Sequence, residues 1–112
     1  MNLWDKVIKA LELKLHTGLP APPDIRGAYC GDLLSDVLAH ASPGDLWITI
    51  HRHRNVIAVA ALVNISGVII TGNREPDPET LDGAIREGIM LFTTPLNNFQ
   101  AAGKLYSILS DN

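Results

Sequence analysis

Cysteine is almost absent from this chain of 112 residues, because Cys30 is its single cysteine. No disulfide can form within the chain, and no zinc site built from several cysteines is possible. Both exclusions are typical of proteins from a reducing compartment, so we expect a cytoplasmic location. Free cysteines are usually small buried hydrophobic residues, and we expect the same of Cys30.

The sequence also lacks an excess of positive charge. Its formal net charge is −3 and its isoelectric point is about 5.7. Proteins that bind nucleic acid generally attract the phosphate backbone with a basic surface. Nucleic acid is therefore not an expected partner of this chain.

Long apolar runs are missing as well. The most apolar stretch, Val56–Thr71, contains Asn64, Ser66 and Gly67. It falls short of the roughly 20 consecutive apolar residues that a membrane-spanning helix requires. The first residues, MNLWDKVIKA, lack the basic start and the apolar core of a signal peptide. We expect neither export nor a membrane partner.

What is present is enough to form one packed domain. Hydrophobic residues make up 46% of the chain and charged residues 19%, a balance typical of a globular domain. We expect a single domain over residues 1–112. Within it, residues 1–24 provide an N-terminal helix, a strand and a proline-rich loop, and residues 25–112 form the core.

Strand patterns followed by helix patterns recur along the core. The predicted strands are Ile25–Cys30, Leu46–Ile50, Gly67–Thr71 and Ile89–Thr93. The helices that follow them begin at Asp32, at Asn55, near Pro78 and at Asn97 or Asn98. Asp32 and Asn55 are expected to cap their helices. The alternation predicts an α/β fold: a mainly parallel sheet of about four to five strands with helices on both faces. The segment before the proline-rich loop adds an edge strand.

In two of the predicted helices the spacing of the apolar residues predicts which sides are buried. In the helix near Pro78, the spacing places Leu81, Ala84 and Ile85 towards the core. The helix within Val56–Val63 is apolar on all sides, which predicts burial on more than one side. Its alanines, Ala58, Ala60 and Ala61, would let a second copy approach, which favours a homodimer. The alternative is a central core helix.

Loops that follow parallel strands all emerge at the carboxyl edge of the sheet, where open α/β folds bind their ligands. Polar residues are concentrated in these loops. The candidate ligand-binding residues are Asp32, Ser35, His51, His53, Asn55, Thr71, Gly72, Asn73, Arg74 and Glu75.

Positive charge in these loops points to an anionic ligand. Arg52, Arg54 and Arg74 supply the charge, and the helix starts after Asn55 and Asp77 offer free backbone N–H groups. A small anionic metabolite or a nucleotide fits this pattern. The alternative is that these are solvated loop side chains and that Asn55 is only a cap.

The segment TGNREP adds a second possible anion contact. Gly72 and Asn73 can adopt a positive φ and so expose successive backbone N–H donors to a phosphate or carboxylate. The alternative interpretation of this segment is an ordinary turn with Pro76 and Pro78 at its end.

Catalytic signatures are not found. His51 and His53, two residues apart, could share one face of an extended strand, but a catalytic zinc site usually needs three protein ligands. No metal or other cofactor is expected. The chain has neither a Gly-x4-Gly-Lys-Ser/Thr phosphate loop nor a nucleophile elbow, so no catalytic residue is assigned and an enzyme is not expected. An enzyme that used Cys30, His53 and Asp32 would need a reactive thiol.

The chain from about Gly27 to Leu109 resembles the DRTGG domain, which occurs alone in small bacterial proteins and attached to CBS-pair proteins and phosphotransacetylases. The likeness is carried by Gly31–Ser35 with Asp36, Gly44–Asp45, Thr49, His53-x-Asn55, and Thr71–Gly72 followed by Arg74–Pro76. Asn73 stands where the family motif has a second glycine.

The DRTGG domain is similar to the N-terminal domain of HPr kinase/phosphorylase, whose phosphate loop lies in another domain. The resemblance therefore implies an α/β regulatory module without kinase activity. Such a module senses a ligand or contacts another protein, and a protein-interaction domain without a small-molecule ligand is the alternative function.

Overall fold

The computed structural model describes residues 1–111, which form a five-stranded sheet with helices on both faces. The strands are β1 (Lys14–Thr17), β2 (Gly27–Cys30), β3 (Asp45–Thr49), β4 (Gly67–Ile70) and β5 (Leu91–Thr93). The helices are α1 (Leu3–Ala10), α2 (Leu34–His40), α3 (Asn55–Val63), α4 (Pro78–Glu87) and α5 (Asn98–Ser110). Strand order is β1-β5-β4-β3-β2.

The pairing of the strands confirms the predicted α/β fold. β2, β3, β4 and β5 are mutually parallel, and β1 joins β5 in the antiparallel direction. Every residue of β3, β4 and β5 is buried, because these central strands are covered on both faces. This burial is the reason for their nearly continuous apolar sequences.

Two hydrophobic clusters cover the two faces of the sheet. On one face α2, α3 and α4 pack over Trp47, Val68 and Ile70. On the other face α1 and α5 pack over Ile48 and Phe92. The three helices on the first face belong to successive strand–helix–strand units, whose crossovers have the same hand.

Three helix boundaries have clear local causes. Asn97 caps α5 in a capping box with Gln100, which decides between the two predicted starting residues. Pro78 occupies the first turn of α4, where its missing N–H costs nothing. Gly88 ends α4 with a φ of 67°.

The predicted caps at Asp32 and Asn55 are wrong. The residue before α2 is Leu33, which makes no side-chain cap, and the carboxylate of Asp32 is engaged elsewhere. The chain already turns before α3 begins, because the backbone N–H of Val56 donates to the carbonyl of His53. Asn55 is consequently the first residue of the helix rather than its cap.

Two side chains that were expected to be buried, those of Ile85 and Cys30, are exposed. Ile85 is 65% exposed, because the buried positions of α4 are Thr80, Gly83 and Ala84. Cys30 is exposed rather than buried, because β2 is the last strand at its end of the sheet.

Helix α3 is a core helix on one side only. Val56, Ile57 and Val59 are buried, whereas Leu62 is 74% exposed. Ala60 is buried within the protein itself, so it is not available to a second copy. None of the helices within residues 1–111 is long and apolar enough to cross a membrane.

Candidate functional site at the carboxyl edge of the sheet

The carboxylate of Asp32 is the centre of a hydrogen-bonded cluster at the carboxyl edge. Its Oδ1 accepts hydrogen bonds from the Thr49 hydroxyl and from the backbone N–H of Ile50, both at 2.8 Å. Its Oδ2 accepts one from the side-chain amide of Asn98 at 3.1 Å. The ends of β2 and β3 are thereby connected to the start of α5. We call Asp32, Thr49, Thr71 and Asn98 the polar hub.

Thr71 brings the end of β4 into the polar hub. Its hydroxyl donates to Oδ1 of Asn98, and its backbone N–H donates to the carbonyl of Thr49 at 2.9 Å. Arg74 then closes over the turn, because its Nη1 donates to the carbonyl of Thr71 at 3.0 Å. Three strand ends and one helix start therefore form a connected rim.

Asn98 was missed as a site residue by sequence reasoning. The loop that contains it was expected at the carboxyl edge, but nothing in TTPLNN distinguishes Asn98 from Asn97. One asparagine caps α5 and the other donates to Asp32. Only the geometry of the helix start assigns these two roles.

The two histidines do not form a pair. Strand β3 ends at Thr49, so its alternation does not extend to them. His51 donates through Nε2 to the backbone carbonyl of Asp32, whereas His53 is exposed and its Nδ1 lies 2.6 Å from the Asp77 carboxylate. Across residues 1–111, no group of three or more His, Cys, Asp and Glu side chains is placed to hold a metal ion.

The turn after β4 has the predicted conformation but not the predicted free donors. Gly72 and Asn73 adopt φ values of 77° and 61°. Their backbone N–H groups donate to the carbonyls of Leu96 at 2.7 Å and Thr94 at 3.0 Å. The loop after β5 lies alongside because β4 and β5 are neighbours. Asn tolerates the left-handed region better than most residues, so Asn73 can replace the second glycine of the family motif.

Basic side chains lie outside the polar hub. Arg52 is near Asp77, with Nε 4.0 Å from its Oδ1, and Arg54 forms a 3.5 Å ion pair with Glu79. Arg74 is exposed. The remaining candidates, Ser35, Asn55 and Glu75, are also exposed and do not belong to the hub.

A second polar contact lies between β2 and α2. The hydroxyl of Tyr29 donates to the carboxylate of Asp36. This hydrogen bond is the main cause that raises the pKa of Tyr29 and lowers the pKa of Asp36. His40, 3.1 Å from the same carboxylate, further lowers the pKa of Asp36.

The thiol of Cys30 is exposed but not activated. Desolvation and, to a smaller extent, the charge of Asp32 raise its pKa, which keeps it protonated at neutral pH. A nucleophilic cysteine needs the opposite shift. The structure gives no support to the enzyme alternative built on Cys30.

The fold and this edge define the class of protein: a small α/β module whose parallel strand ends are tied together by a polar hub. The chain belongs to the DRTGG domain family, whose model matches residues 28–108. Among curated proteins no sequence match was found.

A solved structure with the same fold was found. It contains the CBS and DRTGG domains of the regulatory region of Clostridium perfringens pyrophosphatase, complexed with the activator diadenosine tetraphosphate. The TM-score is 0.76 and the sequence identity is 20%. The match covers 93% of this chain and 46% of that chain, so this chain spans less than half of the length of that protein region.

Proposed function

We propose that this domain is a non-catalytic regulatory module of the cytoplasm that binds a small anionic metabolite or a nucleotide at the carboxyl edge of its sheet. One observation carries the proposal. The polar hub fixes the loops after β2, β3 and β4, and exposed basic side chains, Arg52, Arg54 and Arg74, project from two of these fixed loops. Pre-ordered loops lower the entropy cost of binding.

The carboxylate of Asp32 is engaged by donors of the protein itself. It accepts three hydrogen bonds, from Thr49, Ile50 and Asn98. Arg74 donates to the protein through Nη1, and a guanidinium has five N–H donors in a planar arrangement suited to phosphate or carboxylate. Arg74 is therefore the residue that we expect to contact the anion most directly.

The similar solved structure supports the class of ligand. A regulatory region that includes a DRTGG domain is complexed there with a nucleotide activator. At 20% identity this likeness shows the fold alone, so the nucleotide is a first probe for this chain and not an inherited ligand.

Binding is tested by isothermal titration calorimetry and thermal shift with diadenosine tetraphosphate, ATP and inorganic pyrophosphate. We expect at least one probe to bind, and Arg74→Ala to weaken its affinity about 10- to 100-fold, because a charge-assisted hydrogen bond is lost. His53→Ala is the second variant. Arg86→Ala, an exposed arginine near the end of α4, is the matched control and should leave the affinity unchanged. No binding at millimolar ligand, or binding that neither Arg74→Ala nor His53→Ala affects, would contradict the proposal.

A second candidate function is protein interaction without a small-molecule ligand. It is favoured by two large apolar side chains next to the polar hub: Leu33 is 68% exposed and Phe99 is 86% exposed. Exposed apolar residues that lie together are typical of contact surfaces. Stoichiometric recovery of another protein with this chain from its native cells, with no binding of the three probes, would favour this function over the first.

A further inference from the structure

A groove lies at the amino edge of the sheet, away from the polar hub. It is lined by helix α1, by strand β1 and by the proline-rich loop (Leu19–Asp24), together with Met90, a buried residue just before β5. The groove has a volume of about 730 Å³. This volume lies within the roughly 300–1,000 Å³ that is typical of sites for small organic ligands. We call it the α1 groove.

The α1 groove is formed almost entirely by the N-terminal segment of the chain. Apart from Met90, every residue that lines it lies between Asn2 and Arg26. The match to the DRTGG family begins only at residue 28. The groove is therefore formed mainly by residues outside the matched family domain, and none of its lining residues belongs to the polar hub.

Three contacts fix the walls of the α1 groove. The indole N–H of Trp4 donates to the carbonyl of Pro23 at 2.8 Å, which connects the proline-rich loop to α1. The Trp4 ring stacks on Phe92, with the ring centroids 5.7 Å apart. The hydroxyl of Ser66 donates to the carbonyl of Asp24 at 2.6 Å, which holds the end of the same loop. A site whose walls are already ordered loses little entropy when a ligand binds.

The lining of the α1 groove is largely apolar. The indole of Trp4 forms part of it, and aliphatic side chains from α1, β1 and the loop form the rest: Leu3, Ile8, Leu15 and Leu19. Leu15 is 50% exposed, so part of this apolar lining is in contact with water. Covering such a surface with another apolar group is favourable. A ligand that fits the groove therefore has an apolar body.

Two carboxylates give the α1 groove a negative charge. The hydrogen bond between Trp4 and Pro23 brings the residues that follow them, Asp5 and Asp24, to the same part of the groove. Both aspartates are exposed, and within residues 1–111 neither has an ion-pair partner.

Arg26 also lines the groove, but its aliphatic stem packs against Gly44. The Cγ atom of Arg26 lies 2.7 Å from the position that a Cβ of Gly44 would occupy. The lining thus contains two carboxylates and one guanidinium. This excess of negative charge favours a cation over an anion.

We propose that the α1 groove binds a small organic cation, in which an amine or quaternary ammonium group is attached to an aromatic or aliphatic body. The body covers the apolar lining, and the ammonium group pairs with Asp5 and Asp24 beside Trp4. An indole ring is the best aromatic surface for a cation, and the carboxylates add a Coulomb attraction. The charge preference is opposite to that of the anion site at the carboxyl edge.

Three ligands of nearly the same shape test this preference at physiological salt: 2-phenylethylamine, which is a cation at neutral pH, 2-phenylethanol, which is neutral, and 3-phenylpropanoate, which is an anion. Two-dimensional NMR spectra follow the indole N–H signals of the two tryptophans. Trp4 lines the groove, whereas Trp47 is buried on the opposite face of the sheet, where its indole donates to the carbonyl of Gly31 at 2.8 Å. Trp47 is therefore an internal control.

We expect 2-phenylethylamine to shift the indole signal of Trp4 and to leave that of Trp47 in place. Its affinity should be about 5- to 10-fold higher than that of 2-phenylethanol, because the ammonium group gains the carboxylates and the indole face. The anion 3-phenylpropanoate should bind more weakly than the neutral alcohol, because it meets the same carboxylates with a like charge.

The double variant Asp5→Asn with Asp24→Asn removes both negative charges and keeps the shape of the groove. Both residues are exposed, so the fold should be kept. The amine should bind this variant about as weakly as the alcohol, and the affinity of the alcohol should not change. Asp82→Asn is the matched control, since Asp82 is an exposed aspartate of α4 on the opposite face of the sheet. It should leave the affinity for the amine unchanged.

Four results would overturn the proposal. The first is an indole signal of Trp4 that 2-phenylethylamine does not shift at millimolar concentration. The second is equal binding of the amine and the alcohol, which would make the groove a site for neutral apolar molecules. The third is tighter binding of 3-phenylpropanoate, which would make Arg26 the dominant charge. The fourth is an affinity for the amine that the double variant does not lower. The Trp4 signal reports on the α1 groove and not on the carboxyl edge, so this inference and the proposed function can fail separately.

Discussion

The side-chain amide of Asn98 donates a hydrogen bond of 3.1 Å to the carboxylate of Asp32, although 66 positions separate the two residues in the chain. The contact joins the end of the edge strand β2 to the start of the last helix. Thr71, which donates to the other atom of the same amide group, adds the end of β4. A single asparagine thus orders loops that come from three distant parts of the sequence.

Asp32→Asn should destabilise the fold by about 1–2 kcal/mol, because an amide N–H₂ group would then compete with the donors that Asp32 accepts. The exchange variant Asp32→Asn with Asn98→Asp restores one donor and one acceptor between the two positions, and Thr71 can still donate to the new carboxylate. Urea unfolding should show partial recovery in this double variant. A double variant no more stable than Asp32→Asn alone would contradict the role that we give to this contact.

The same substitution should have opposite effects at two glycines. Gly72→Ala places a Cβ at a φ of 77° and against the guanidinium of Arg74, so we expect a loss of about 1–2 kcal/mol. Gly103→Ala, in the middle of α5 with open space around it, should gain about 1 kcal/mol. Urea unfolding at concentrations that keep the chain monomeric measures both, and changes of the same sign would be inconsistent with these two backbone environments.

The hydrogen bond between Tyr29 and Asp36 predicts a pH dependence with two limbs. The pKa of Asp36 is lowered, so its stabilisation is present above the ordinary carboxyl pKa and is lost as the pH falls through the folded-state value. The pKa of Tyr29 is raised, so its stabilisation is present below the ordinary phenol pKa and is lost as the pH rises through the folded-state value.

Tyr29→Phe should therefore lower the Tm between these two limits and flatten both limbs of the profile. NMR titration should show the pKa of Asp36 returning towards its ordinary value, because its main cause of lowering has been removed. Tyr106→Phe removes the same single hydroxyl from an exposed position and serves as the control. An unchanged titration of Asp36 in Tyr29→Phe would refute the assignment.

Asn97→Ala should cost about 1 kcal/mol, because the capping box at the start of α5 is lost. Asn97→Ser keeps a side-chain acceptor and should recover most of that stability. Helix fraying in the alanine variant should also loosen Asn98, so the amide signals of Asp32 and Thr71 should shift in NMR spectra. Shifts confined to α5 would show that the cap and the polar hub are independent.

Local signals in the sequence account for most of the elements. The buried strands are apolar runs between turn residues, and proline and asparagine mark the starts of α4 and α5. The left-handed turn after β4 was also readable, because Gly72 and Asn73 are residues that tolerate positive φ. These features depend on a few neighbouring residues, and periodicity and turn chemistry report on such short distances.

The predicted positions that were wrong share a different cause. The sequence position of Asp32 is typical of a helix cap, but its carboxylate accepts hydrogen bonds from Thr49 of β3 and Asn98 of α5. Ile85 has the spacing of a core residue, yet smaller side chains of α4 face the sheet. Cys30 is exposed only because of the place of β2 in the strand order. In each case a distant segment decides the outcome.

The sequence by itself determined the alternating strands and helices, the parallel sheet that follows from them, and the edge at which its polar loops meet. Only the tertiary structure decided that Asn98 bridges Asp32 and Thr71, that the N–H groups of the turn after β4 are already bonded, and that α1 and the proline-rich loop form an apolar groove. The physical reason is the separation along the chain over which each kind of interaction acts. Backbone preferences act over a few residues, whereas hydrogen-bond partners and exposure depend on which strands become neighbours after the whole chain has folded.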